Sequence, residues 1–262
     1  MKLEELINRN YDAFTQNDRQ VVSYILANKA YVMGATSQEA ADGCHVSRAT
    51  LLRVCKKMGL QNFAELKYLL KYQDGAGDDR ADADMDAIIG NYHGLIDDLK
   101  KADYSRVCKL IFEAERIFIY GTGNEQKAVA EEFKRIFLMF GKCSVDLFDY
   151  GEVEFAAKNF TSSDLFLIIS LSGETQEGIR ILRLIEYTGI RKVSLTRWKN
   201  NTIAGLCEHN LYAGTRVLTA CRDMPYEMMA AFYILLDVLS VHYLVYERER
   251  KHEAGTSAEP EL

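Results

Sequence analysis

The stretch 164–182, DLFLIISLSGETQEGIRIL, constrains the fold of this chain more than any other. A hydrophobic strand, Leu165-Phe166-Leu167-Ile168-Ile169, turns through Ser170-Leu171-Ser172-Gly173-Glu174-Thr175 and continues as a helix with apolar residues at Ile179, Leu182 and Ile185. A short apolar run that gives way to helical spacing marks a strand–turn–helix unit. The turn has chemistry of its own. The first N–H groups of a helix lack partners within it and sit at the positive end of its dipole, so they attract anions. Ser170, Ser172 and Thr175 add hydroxyl donors, and Gly173 lets a ligand approach the backbone. The competing reading is a Ser/Thr-rich cap and tight turn of the kind any α/β fold contains.

Other segments fit the same plan. Residues 116–120 form a strand, Gly121-Thr122-Gly123 a turn, and 124–140 a helix closed by Gly141. Residues 143–147, 192–196 and 210–213 supply three more strands, with a short helix over 152–158. Helices over 83–101 and 104–114 precede them. This alternation predicts an α/β fold: a three-layer α/β/α domain with a five-stranded parallel sheet. Ligands of such sheets bind at the C-terminal ends of the strands, where both Gly121–Asn124 and Ser170–Thr175 fall. Gly121-Thr122-Gly123 also invites a dinucleotide reading. That pattern fails, because Gln126 stands where the third glycine belongs. A smaller phosphoester fits better.

Residues 1–72 differ in kind. Three or four short helices fit, with Asp18 capping one, Thr36 or Ser37 a second, Gly43 allowing a tight turn, and Ser47 capping a third that Gly59 closes. A helix, a turn and a second capped helix make a helix-turn-helix. On the last helix Leu51, Leu52, Cys55 and Met58 take core spacing, while Arg48, Thr50, Arg53, Lys56 and Lys57 take the other positions. That suits a recognition helix in a major groove, with Ser47 and Arg48 near the bases and Lys56 and Lys57 on phosphates. The bland alternative is a solvated basic face. Charge divides accordingly. Residues 1–72 hold ten Lys and Arg against seven Asp and Glu, whereas 73–262 hold 22 against 31. A basic unit joined to an acidic one suggests two jobs.

Gln38-Glu39-Ala40-Ala41, the run Val46-Ser47-Arg48-Ala49-Thr50-Leu51-Leu52-Arg53-Val54-Cys55-Lys56-Lys57-Met58-Gly59-Leu60, and Asn62-Phe63-Ala64-Glu65-Leu66-Lys67 resemble the N-terminal domain of RpiR-type (MurR/RpiR) bacterial transcriptional regulators. The resemblance covers nearly all of 1–72 and implies DNA binding, through Ser47, Arg48, Ala49, Thr50, Arg53, Lys56 and Lys57. Ile119-Tyr120-Gly121-Thr122-Gly123, the Ser170–Thr175 loop, and Val193-Ser194-Leu195-Thr196 resemble the SIS (sugar isomerase) domain, over roughly 105–245. In that family the Ser-x-Ser-Gly-x-Thr loop holds the phosphate of a phosphosugar. The implied effector site is Gly121, Thr122, Gly123, Asn124, Glu125, Ser170, Ser172, Gly173, Glu174 and Thr175. One position departs from the family: Glu125 stands where many SIS domains have a phosphate-binding serine. A carboxylate there calls for a compensating cation, with Lys127 and Arg197 as candidates.

The two resemblances together match one regulator architecture. They imply a helix-turn-helix domain over 1–72, a flexible acidic linker over 73–82, a SIS domain over 83–250 and a disordered tail over 251–262. The implied protein is a cytoplasmic repressor of carbohydrate-metabolism genes that takes no cofactor or metal. It binds a palindromic double-stranded operator as a homodimer or homotetramer and responds to a phosphosugar. A last helix is expected from Pro225 to about Glu249, with Met228, Phe232, Leu235, Leu239 and Tyr243 on one stripe and Glu227 in its first turn. Asp237, Ser240 and His242 interrupt the apolar run 228–246, which argues for a buried or interface helix over a membrane span. The six cysteines include no Cys-x-x-Cys and read as reduced thiols. Two other functions stay open: a phosphosugar isomerase-type enzyme, and a regulator whose SIS domain only dimerises. The five histidines are spread along the chain, and only His209 falls near a strand end, which disfavours catalysis.

Overall fold

A computed structural model describes residues 3–74, 85–215, 217–219 and 225–256. The chain divides into two units, Met1–Asp84 and Met85–Leu262.

In the first unit the described residues form α1 (Leu3–Arg9), a 3-10 turn (Tyr11–Ala13), α2 (Gln16–Ala27), α3 (Lys29–Gly34), α4 (Ser37–Gly43), α5 (Arg48–Lys57) and α6 (Phe63–Asp74). More helices fit here than the sequence pattern suggested, because α1 and α3 are short. Their Leu3, Leu6, Ile7 and Val32 join one core with Val21, Ile25, Leu51, Val54, Cys55, Met58 and Leu66. Thr15, not Asp18, is the N-cap of α2. Asp18 is its reciprocal partner in a capping box, and Thr36 with Glu39 repeats the device at α4. Ser47 caps α5 by accepting from Thr50 N–H at 3.1 Å. Gly59, at φ +86°, ends that helix with Leu60 N–H bonded to Cys55 O at 3.0 Å.

The second unit opens with α7 (Met85–Lys101) and α8 (Ser105–Glu113). It continues β1 (Arg116–Gly121), α9 (Asn124–Met139), β2 (Ser144–Asp146), α10 (Tyr150–Ala157), β3 (Asp164–Ser170), α11 (Gln176–Leu184), β4 (Arg191–Thr196), α12 (Thr202–Gly205) and β5 (His209–Tyr212). These five strands are parallel, in the order β2-β1-β3-β4-β5. The three-layer expectation holds. Side chains alternate along the strands: Ile117, Ile119, Leu165, Leu167 and Ile169 join a core with α8, α9 and the last helix, whereas Phe118, Tyr120, Phe166 and Ile168 join one with α10, α11 and α12. β3 is central and all seven of its residues are buried. Arg116 holds the starts of β1 and β3 together through Asp164, at 2.7 and 2.6 Å.

Beyond β5 the chain departs from expectation. β6 (Val217–Thr219) and β7 (Pro225–Glu227) form an antiparallel pair, and α13 runs Ala230–Thr256. Pro225 therefore begins a strand rather than a helix. Glu227 lies on that strand, outside the first turn of α13. Phe232, Leu235, Leu236, Leu239 and Tyr243 of α13 are buried in the core. Among the described residues Ala230–Glu253 is the one stretch long and apolar enough to cross a membrane by length and composition; core packing accounts for one face of it, and Val241, Leu244 and Val245 are exposed. Of the expected linker, Gln73 and Asp74 end α6 and 75–82 lie outside the described residues. Of the expected tail, 251–256 continue α13 and 257–262 lie outside them.

Candidate functional site

In the first unit α4 and α5 are joined by Cys44, His45, Val46 and Ser47. The left-handed residue of this turn is His45, at φ +56°, not Gly43. Gly43 ends α4 and is small for a different reason: a Cβ there would lie 2.5 Å from the Tyr24 hydroxyl. Ser47, Arg48, Ala49, Arg53 and Lys56 are exposed, and Thr50 is half-buried. They form one polar, basic surface around the N-terminus and outer face of α5. Core positions are Leu51, Val54, Cys55 and Met58, with Leu52 only partly covered.

Lys57 does not belong to the free basic surface. Its ammonium lies 2.5 Å from the carboxylate of Asp18, which is fully buried, and Arg53 approaches the same carboxylate at 3.5 Å. Burial opposes ionisation of Asp18, but hydrogen bonds from Lys57 and from the Thr15 N–H and hydroxyl outweigh it and hold its pKa at about 2. Lys57 fastens α5 to α2 through this pair. Arg53, with its side chain 59% exposed, remains available to solvent.

In the second unit the strand order reverses direction between β1 and β3, since β2 lies outside β1 and β4 outside β3. This is the topological switch point, where the loops after two adjacent strands separate and leave a crevice. Gly121 pairs with Ile169 in the ladder, and Thr122 N–H donates to Ile169 O at 3.0 Å. The two predicted loops are thus brought together. Thr175 Oγ1 stands 3.4 Å from Thr122 Oγ1 and 3.2 Å from Ser170 Oγ.

The helices that follow the strands differ at their N-termini. Asp149 caps α10 and Asn201 caps α12 by accepting backbone N–H bonds. α9 and α11, which start on either side of the crevice, have no side-chain cap, from Gly123 or from Thr175. The first-turn N–H groups at the crevice thus donate to no capping side chain, and both helix dipoles favour an anion there.

Individual side chains divide between exposed and structural. Ser172 is exposed and accepts from Glu174 N–H at 3.1 Å, which leaves its own hydroxyl proton to give. Ser170 is fully buried and accepts from Gly173 N–H at 3.2 Å, so it braces the loop from below. Gly173 has φ +71°, and a Cβ on it would collide with Asn201. Its glycine is required by backbone conformation and by Asn201, not by ligand approach. Glu174 is turned away from the crevice, with its carboxylate accepting from Thr202 N–H at 2.8 Å and from the Thr202 hydroxyl at 2.7 Å. Gly121 is needed because a Cβ would lie 2.5 Å from Lys127 N. Asn124 and Glu125 are exposed at the start of α9.

Neither expected cation is placed to compensate Glu125. Lys127 Nζ sits 3.6 Å from the Phe148 ring centroid, and Arg197 pairs with Glu227 at 3.2 Å. The sequence reading also missed contacts that complete the site. The Tyr120 hydroxyl donates to Glu177 in the first turn of α11, and burial, reinforced by that carboxylate, raises the Tyr120 pKa. Gln126 is buried against Gly123. Tyr120 and Glu177 lie 57 residues apart in sequence, so no local spacing announces that pair. Among the described residues no group of three or more His, Cys, Asp or Glu gathers as a metal site.

Comparison with known proteins gives concordant results. Residues 1–76 match the model for the helix-turn-helix domain of the rpiR family, and 110–241 match that for the SIS domain. The chain is 33% identical over 253 residues to the HTH-type transcriptional regulator GlvR of Bacillus subtilis, covering 97% of this chain and 99% of the relative. It is 25% identical over 260 residues to the HTH-type transcriptional regulator HexR of Pseudomonas aeruginosa, covering 91% and 87%. Among solved structures, the Vibrio vulnificus NanR protein complexed with ManNAc-6P superposes with a TM-score of 0.56 at 24% identity, covering 98% and 97% of the two chains.

Proposed function

The chain belongs to the rpiR family of helix-turn-helix transcriptional regulators carrying a SIS domain, and we propose that it is a sugar-phosphate-controlled repressor of carbohydrate-metabolism genes. The observation that carries the effector assignment is the pair of uncapped helix N-termini, α9 and α11, facing the β1/β3 crevice. Ser172, Thr175, Thr122 and the first-turn N–H groups hold the phosphate. Gly121, Gly123 and Gly173 shape the loops, and Asn124 and Glu125 face the sugar. The sugar phosphate bound by NanR supports this class of ligand.

Operator recognition rests on Ser47, Arg48, Ala49, Thr50, Arg53 and Lys56, with base contacts near the N-terminus of α5 and phosphate contacts further along. The regulator works as a homodimer or homotetramer in the cytoplasm, on a palindromic site. Val241, Leu244 and Val245, exposed at helical spacing on α13, offer an apolar face for that assembly. It is not an enzyme. The relatives it matches are named as transcriptional regulators, and of the acidic side chains in these loops Glu174 and Glu177 are engaged by Thr202 and Tyr120.

A thermal-shift screen of the full chain over phosphorylated sugars, followed by turnover and DNA-binding assays with each hit, tests this reading. A hit that raises the melting temperature, is not turned over and changes DNA affinity supports it. Turnover of any hit assigns the enzyme function instead.

A further inference from the structure

Arg197 stitches three loops together at the C-terminal end of the sheet. Its N–H donates to Leu171 O at 3.1 Å, at the start of the loop after β3. Its carbonyl accepts from Gly214 N–H at 3.1 Å, after β5. Its Nη1 lies 3.2 and 3.4 Å from the two carboxylate oxygens of Glu227, on β7. Glu227 also accepts from the hydroxyl of Thr215, which is buried.

Two features separate this pair from an ordinary surface salt bridge. The Glu227 side chain is only 11% exposed and that of Arg197 25%. Arg197 Nε is buried and has no hydrogen-bond partner among the described residues. A guanidinium presents a rigid fork that matches a phosphate with two parallel bonds, and here Nε, one arm of that fork, is unused. Arg197, whose backbone is bonded to the loop after β3, thus carries a guanidinium that is neutralised by the chain's own carboxylate and has a buried N–H without a partner among the described residues.

We propose that Glu227 is an internal substitute for the effector's anion. In the free protein it holds Arg197. When a phosphoester occupies the Ser170–Thr175 loop, Arg197 transfers to the phosphate and Glu227 keeps only Thr215. The exchange rests on the phosphoester assignment of the crevice given above. It also supplies a route out of the site. Glu227 lies on β7, three residues before α13 begins, and α13 packs on α7, α8 and α9. Loss of the Arg197 contact loosens the segment that sets the start of α13. The ligand's charge is thereby read by the helix that carries much of the unit's packing.

The test uses the full chain with inorganic phosphate as the probe, titrated by calorimetry at low ionic strength. Glu227→Gln keeps the size and the Thr215 contact but removes the competing charge. It is expected to tighten phosphate binding by roughly fivefold or more, a coupling of ordinary size between linked events. Arg197→Gln is expected to weaken binding by a similar factor, Arg197→Lys by less, and the double variant to match Arg197→Gln. Phosphate binding that is no tighter in Glu227→Gln than in the parent overturns the exchange, as does binding unchanged in Arg197→Gln. If Ser172→Ala weakens binding in either case, the crevice assignment survives that failure. A parent protein that binds no phosphate overturns both.

Discussion

Asp18 is the residue whose charge the first unit depends on most. It is fully buried, accepts from Thr15 and Lys57, and titrates at about 2 instead of 3.8. A carboxyl whose pKa falls on folding adds stability where it is ionised in both states. That stability is present in full above pH 4 and is lost as the pH falls through 4 toward 2. The shift corresponds to about 2 kcal/mol. Asp18→Asn should lower unfolding free energy by about that amount at pH 7 in urea titrations, and the difference from the parent should vanish near pH 2. Lys57→Ala leaves the buried carboxylate without its nearest cation, so it should destabilise at neutral pH as well. Gly173 makes a second test. Its φ of +71° costs a side chain about 1–2 kcal/mol, and Asn201 occupies the space a Cβ needs. Gly173→Ala should lower the melting temperature and distort the phosphate loop, checked by loss of the sugar-phosphate thermal shift. Sequence made the Gly173 turn legible but not its reason, because Asn201 comes 28 residues later in the chain.

At the scale of elements, what could be read from sequence follows the range of the interactions. β1, β3, β4, α5, α9 and α11 announce themselves through local periodicity and caps, and their order predicts the parallel sheet. The β6–β7 pair does not. Each strand has three residues, too few for alternation to register, and Pro225 carries the signature of a helix start. For the same reason Glu227 falls on β7 and not in a first helical turn. Strand order was not legible either, so the β1/β3 switch point appears only in the folded sheet. α5 illustrates a finer limit. Spacing assigns its basic residues to one class, whereas packing separates Lys57 from Arg48 and Lys56. Arg48→Ala and Lys56→Ala should therefore weaken operator binding with an unchanged melting temperature. Loss of the Lys56 phosphate contact should also reduce the salt slope by about 1. Lys57→Ala should act through stability. Anisotropy titrations at several salt concentrations, run beside thermal melts, distinguish the two classes.

At the scale of the whole molecule, a basic segment over residues 1–72 and an acidic remainder share one chain, with the proposed operator surface in the first unit and the proposed effector crevice in the second. Regulation then requires that sugar phosphate and DNA each alter the other's affinity by the same factor. Assembly belongs to this scale too. Val241, on the outward face of α13, is 61% exposed and Val245 is 50% exposed. Replacing both with Glu should convert an oligomer to a smaller species by light scattering, and weaken binding to a palindromic site more than to a half-site. The most direct measurement is an anisotropy titration of operator DNA, selected from a random pool, by the full chain with and without a sugar phosphate whose binding calorimetry has established. The account predicts a change in operator affinity of roughly fivefold or more in the parent. In Ser172→Ala, effector-free affinity should be unchanged and the response should disappear at the same effector concentration. Equal operator affinity with the crevice empty and saturated would contradict it.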